Sequence, residues 1–285
     1  MAPSAGAVEC SRARRAVCRR APRRLVGRLP ARLLARLLLA HLFVAQMLLA
    51  PCRAQPVADA PWASAPPRDA QPRALRRGAR LFVNHCLGCH GARNVRWADL
   101  RALGLSDARI ERDLMFGADN LAAPMRSALS AEQARAWFGV EPPDLGLIVR
   151  ALATRQHRGA DVVYSYLRAF YRDDATPSGW NNLIRPGVAM PHALWAQQGV
   201  RAARFEGPAA PGAARRFVGF TELSPGELTP RRYDADIGDL VAYLQWMAEP
   251  EHETRVRVGS IVVIILILLG FLTWRLRVEY WKDLT

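Results

Sequence analysis

The run Cys86-Leu87-Gly88-Cys89-His90 constrains this chain more than any other stretch. Two thiols three positions apart can each add to a vinyl group of one porphyrin, and the histidine that follows can turn its imidazole onto the iron. Cys-x-x-Cys-His therefore reads as c-type haem attachment. A domain stapled to its cofactor in this way can hold it with a modest pocket. Two other chemistries share the Cys-x-x-Cys half. A zinc site needs about two further Cys or His ligands at matching spacing, and Cys86 and Cys89 are the last cysteines in the sequence. A thioredoxin-like pair belongs beside a βαβ pattern, which the sequence does not display.

The formal net charge of +15 invites a nucleic-acid partner, but its distribution argues against one. Residues 1–54 hold eleven arginines against the single acid Glu9, and the tail from Arg255 carries five basic and two acidic residues. Residues 55–254 are near balance at +2. Basicity confined to the two ends reads as membrane-related, so no nucleic-acid partner is expected.

Residues 1–54 read as an export signal. A basic front leads into an apolar run from Leu33 to Ala50, and small residues near Ala54 offer a cleavage site. Arg36 and His41 interrupt that run and would be costly at bilayer depth, which favours a cleaved signal over an anchor. Residues 55–72, rich in Pro, Ala and Asp, read as a linker. From Arg73 the spacing becomes helical: Leu75, Ala79, Phe82 and Val83 share one face, and this helix runs into the haem motif. Ser106 is placed to cap a short helix reaching Met115. Ser130 with Gln133 forms a capping-box start to another that ends near Phe138. Asp144, after Pro142-Pro143, is placed as the N-cap of a helix to Ala153, and Asp161 begins one running through Tyr166 to Tyr171. Residues 200–228, with Phe205, Phe217, Val218 and Phe220 between Gly and Pro breaks, suit a small hairpin. Thr229-Pro230 opens an amphipathic helix through Ile237, Leu240, Val241, Leu244 and Met247.

Val258 to Trp274 is an uncharged run of seventeen residues flanked by arginines, with Trp274, Tyr280 and Trp281 suited to the interface belt. About seventeen residues is the lower limit for crossing a bilayer. The division expected is a haem c domain at 73–254 on the exported side, a transmembrane anchor at 255–277 and a cytoplasmic tail at 278–285. The fold class expected is mainly α: a c-type cytochrome core with insertions, a small β hairpin and one C-terminal membrane helix.

His90 supplies one iron ligand, and the sixth position separates an electron carrier from a haem that activates small molecules. Met115, Met125, Met190, Met247, His85, His157, His192 and His252 are the candidates on the exported part. Met247 belongs to a helical stripe. Met125 and Met190 both sit in non-helical, proline-flanked segments, where a chain can present a thioether. The residues alone favour Met190 only slightly, through its Gly, Pro and aromatic neighbours.

Several stretches, in order, resemble the cytochrome c1 family, the haem subunits of cytochrome bc1 complexes. They are Phe82 to His90, Pro142-Pro143-Asp144-Leu145, Gly179-Trp180-Asn181-Asn182, Met190 to Trp195, Asp239 to Pro250, and the terminal span ending Glu279-Tyr280-Trp281-Lys282-Asp283. The resemblance covers about residues 73–285. It implies one covalently attached haem c, with Cys86 and Cys89 as thioether links, His90 and Met190 as the iron ligands, and Pro142 and Pro143 lining the haem. It further implies cytochrome b, a Rieske iron–sulfur protein and a soluble or membrane-bound cytochrome c as partners, in a bacterial inner membrane with the haem domain in the periplasm. One departure stands out. The family usually has Arg-Ala-Arg after Pro-Pro-Asp-Leu, the second Arg facing a haem propionate; here the run is Arg150-Ala151-Leu152, which leaves Arg155 or Arg158 to supply that charge.

The function expected is one-electron transfer from the Rieske protein to a cytochrome c, with no acid, base or nucleophile of the chain doing chemistry. The rivals are a haem subunit of another membrane dehydrogenase and a haem enzyme with an open iron site.

Overall fold

The structure, a computed structural model, describes residues 60–207 and 216–282, so the expected export signal lies outside the described residues. In chain order the elements are α1 (Pro72–His85), β1 (Ala92–Arg96), a 3-10 helix (Trp97–Leu103), α2 (Asp107–Asp113), β2 (Pro124–Met125), α3 (Ala131–Phe138) and α4 (Ile148–Ala151). Then follow α5 (Gly159–Leu167), β3 (Phe170–Arg172), β4 (Trp180–Asn182), α6 (Trp195–Gln198), β5 (Val200–Glu206), β6 (Arg216–Ser224), α7 (Pro230–Ala248) and α8 (His252–Tyr280). The fold is mainly α, and the expected hairpin is β5 paired antiparallel with β6. Two further small antiparallel pairs, β1–β2 and β3–β4, were not legible in the sequence.

The domain is organised by the crossing of α1 and α7. Pro72 starts α1, where a missing N–H costs nothing, and the stripe Leu75, Ala79, Phe82 and Val83 is buried as its spacing requires. Thr229 caps α7 by accepting from the Arg232 N–H, and Ile237, Leu240, Val241, Leu244 and Met247 are buried along it. Gly78 lets the two helices touch: a Cβ there would lie 2.1 Å from the Asp239 carbonyl oxygen and 2.7 Å from Tyr243 Cβ. Asp239, with its side chain 2% exposed, is paired at that crossing by Arg77 at 2.6 Å and Arg68 at 2.8 Å.

Arg68 belongs to the stretch expected as a linker, and residues 60–71 are packed onto the domain. The Ala63 N–H donates to Ser165 Oγ at 2.9 Å and the Ala65 N–H to Asp161 Oδ1 at 2.8 Å, while Trp62 stacks on His157 with ring centroids 3.9 Å apart. Helix boundaries differ from expectation in three places, and the smallest difference is that α2 stops at Asp113, short of Met115. Asp144 caps no helix: its carboxylate accepts from the Arg93 and Gly146 N–H groups, and α4 begins only at Ile148. The helix around Asp161 starts at Gly159 and stops at Leu167, because Phe170–Arg172 leaves it to pair with Trp180–Asn182.

The chain leaves the domain through α8, whose apolar side chains from Val256 to Tyr280 are exposed throughout. Its apolar section, Thr254–Tyr280, is 27 residues long, about 40 Å at 1.5 Å per residue. That exceeds the roughly 30 Å of a bilayer core.

Candidate haem site

α1 ends at the motif. The Cys86 and Leu87 N–H groups return to the Phe82 carbonyl, and those of Cys89 and His90 to the Cys86 carbonyl, so the five residues form one compact turn. Neither Cys86 nor Cys89 is in a disulfide; Cys86 is partly buried against the core and Cys89 is exposed. Burial, with Cys89 adding to it, raises the Cys86 thiol to about 12. Among the described residues no three His, Cys, Asp or Glu side chains converge on a possible metal site.

The Pro-Pro-Asp-Leu turn is clamped to the strand that follows the motif. Leu145 N–H donates to the Gly91 carbonyl at 2.7 Å, and Asp144 Oδ2 accepts from the Arg93 N–H at 2.9 Å. This places the Pro143 carbonyl 2.7 Å from His90 Nδ1. A carbonyl only accepts, so Nδ1 carries the proton and Nε2 keeps its lone pair. Burial lowers the His90 pKa, while the Pro143 carbonyl and Asp144 push it back up. The ring is thus an oriented neutral imidazole of the kind a metal requires. Pro142 and Cys89 line a cleft of about 260 Å³ with Gly91, Arg93 and Asp144, and His90, Pro143 and Met190 are not among its lining residues. A larger one, about 450 Å³, lies away from the motif, between Val149–Ala153 and the junction of α7 with α8.

The two methionines left open by the sequence are now distinct. Met125 is 0% exposed, locked in β2, with its sulfur met by the Tyr243 hydroxyl at 3.7 Å. Met190 is partly exposed on a loop, and the Tyr166 hydroxyl donates to its sulfur at 3.4 Å. Asn182 shapes that loop. Buried, it donates to the Tyr166 carbonyl at 2.8 Å and accepts from the N–H groups of Ile184 at 2.9 Å and Arg185 at 3.3 Å. Beyond Met190, His192 is stacked on Phe170 with centroids 4.7 Å apart and hydrogen-bonded to Gln198 at 2.8 Å. Burial pushes its pKa down to about 3 against the opposing Gln198 bond. With its ring so enclosed, His192 serves as an anchor for the loop. Gln197 of α6 reaches His85 of α1 at 3.4 Å, tying the segment after Met190 to the helix that carries the motif. The His90 imidazole and the two cysteines of one turn, with a methionine on a loop tied to α1 through Gln197 and His85, are the donor types a covalently held haem uses.

Comparison with known proteins decides the family. A protein of Allochromatium vinosum called cytochrome c1 is 37% identical over 211 residues, covering 74% of this chain and 84% of that one. The chain belongs to the cytochrome c1 family. The model of the cytochrome c1 family matches residues 223–284, which take in α7 and α8. A Nitrosomonas europaea protein named ammonia monooxygenase gamma subunit is 39% identical over 211 residues, 74% of this chain and 83% of its own. The mitochondrial cytochrome c1 haem protein of Saccharomyces cerevisiae is 28% identical over 227 residues, 70% of this chain and 63% of its own.

As a cytochrome c1 family member the chain carries one covalently attached haem c and belongs to membrane-bound electron transport. Its departure from the family's Arg-Ala-Arg run has a structural counterpart. Arg158 is engaged by Asp161 at 2.7 Å, while Arg150 and Arg155 are exposed and make no ion pair among the described residues. Arg185, which no sequence motif singles out, is close enough to the Tyr166 phenol for its charge to act there. On sequence Tyr166 is only a position along the helix expected from Asp161 to Tyr171.

Proposed function

We propose that this chain is the haem subunit of a quinol–cytochrome c reductase, taking single electrons from a Rieske iron–sulfur protein and delivering them to a soluble or membrane-bound cytochrome c. His90 and Met190 hold the iron, Cys86 and Cys89 the porphyrin edge, and Pro142 and Pro143 line its face. When bound, the haem supplies a one-electron couple. The residues of the chain orient it: Pro143 fixes the His90 tautomer, and Asn182 and His192 fix the approach of Met190. α8 crosses the bacterial inner membrane beside cytochrome b, with the haem domain in the periplasm and residues 278–285 in the cytoplasm. The basic residues Arg275, Arg277 and Lys282 agree with that orientation.

Membership of the cytochrome c1 family carries this reading, and the bare Nε2 of His90 supports it. The test is co-purification from membranes followed by rapid kinetics. A tagged chain is expected to bring down cytochrome b and a Rieske subunit, and quinol should reduce its haem before added cytochrome c is reduced. Ready binding of carbon monoxide by the reduced form would instead identify an open-site haem enzyme. A second reading, a haem subunit of a different membrane oxidoreductase, draws on the Nitrosomonas relative named for a monooxygenase. Purification without cytochrome b would favour it.

A further inference from the structure

The Tyr166 hydroxyl has an unusual address. Tyr166 is the second-last residue of α5, half-buried, with its ring edge-on to Phe170 at 5.1 Å and 72°. Its oxygen points at the sulfur of Met190, 3.4 Å away, within range for a hydrogen bond to sulfur. The phenol is the only possible donor of the pair. Burial raises its pKa further, although the charge of Arg185 opposes this, so the proton stays on the oxygen. The backbone on both sides is held. The Tyr166 carbonyl takes a hydrogen bond from Asn182, which caps the start of the Met190 loop, and Phe170 packs on both Tyr166 and His192.

We infer that Tyr166 is a positioning residue for the sixth ligand: its hydroxyl binds one sulfur lone pair of Met190, aims the other at the iron, and raises the reduction potential of the haem. The inference rests on the reading of Met190 as iron ligand. A thioether that accepts a hydrogen bond is a poorer electron donor. A poorer donor stabilises ferric iron less, so the ferrous state gains; hydrogen bonding around the axial ligands is one of the ways a protein sets a haem potential. No proton or electron moves through the tyrosine. Its part is to hold and to polarise.

A packing contact alone can also place a tyrosine hydroxyl near sulfur, as Tyr243 does at Met125, and the experiment uses that pair as its control. Tyr166→Phe keeps the ring and its contact with Phe170 but removes the donor. In the purified complex, redox titration is expected to show a midpoint below that of the parent. The thioether–iron charge-transfer band of the oxidised form should persist with a shifted maximum. Tyr243→Phe should leave both unchanged. An unaltered or raised midpoint in Tyr166→Phe overturns the inference while leaving Met190 as ligand. So does an equal fall in Tyr243→Phe. Absence of the thioether–iron band from the parent protein overturns the ligand reading and this inference with it. Should Tyr166→Phe not assemble, a ring-fluorinated tyrosine at position 166 is a stronger donor and should raise the midpoint; no rise overturns the inference.

Discussion

Met125 and Met190 share their local chemistry and differ in everything around it. Each is next to a proline, each lies outside a helix, and each sulfur is met by a tyrosine hydroxyl, at 3.7 Å from Tyr243 and 3.4 Å from Tyr166. Met125 is sealed, since β2 pairs with β1 and α7 closes over it. Met190 sits on a loop whose shape is set by side-chain caps, and the residue is only partly buried. A polar contact to a thioether therefore does not mark a ligand. The difference between the two lies in burial and in the backbone that carries them.

The sharpest way to break this comparison is to exchange each thioether for an isosteric hydrocarbon. Met190→Leu is expected to abolish the thioether–iron band, drop the midpoint sharply and stop cytochrome c reduction. Met125→Leu should keep the spectrum and cost less than about 1.5 kcal/mol, as volume-conserving core swaps do. The same two absorption spectra with the roles reversed would make Met125 the ligand.

The next two variants disturb one side at a time. Gly78→Ala would drive a Cβ into the Asp239 carbonyl and Tyr243, the residue that also covers Met125. Overpacking of this kind typically costs about 1–3 kcal/mol. The expected result is a lower thermal midpoint of the complex with an unchanged haem band. Asn182→Ala acts on the other side. It strands the Tyr166 carbonyl and frees the Ile184 and Arg185 N–H groups, a loss of about 1–3 kcal/mol for buried partners. Here the thioether–iron band should weaken on mild warming, before the domain melts. If Gly78→Ala bleaches the band and Asn182→Ala does not, the two methionine regions are not separable in this way.

The contrast also explains what could be read from sequence. The stripe of α1, the Ser130–Gln133 capping box and the apolar face of α7 are local or periodic, and the structure has all three. The charge-free run of α8 is local too. Met125 and Met190 could not be separated that way, because what buries Met125 is a strand pairing with Ala92, thirty-odd residues earlier. Asp144 was misread as a cap for the same reason: its partner Arg93 lies far back in the chain, and that long-range bond outweighs the local one. The bond from His90 to Pro143 is of this kind as well. The motif proposes His90 as a ligand from local spacing alone; what orients its ring is visible only in the fold.

The smallest expected effect concerns the cover over α5, the helix that carries Tyr166. Asp161 receives two hydrogen bonds from Arg158, at 2.7 and 2.9 Å, and one from the Ala65 N–H at 2.8 Å. The Arg158 bonds hold its carboxyl below the ordinary range, burial opposes them, and the Ala65 N–H adds to the lowering. A carboxylate depressed in the folded state stabilises fully above its unfolded value of about 3.9, and that contribution is lost as pH falls through the lower native value. Arg158 is 64% exposed, so solvent screening keeps its ion pair under about 1 kcal/mol. Asp161→Asn should therefore speed hydrogen exchange at the Ala63 and Ala65 amides at neutral pH, and the difference from the parent should shrink as the solution is taken below about pH 4. The haem band should not respond, since neither methionine touches this segment through any hydrogen bond among the described residues. Equal amide protection in the two proteins at neutral pH would mean that the Asp161 clamp does not hold residues 60–66 in place. A moving haem band would mean that this cover and the Met190 loop form one unit.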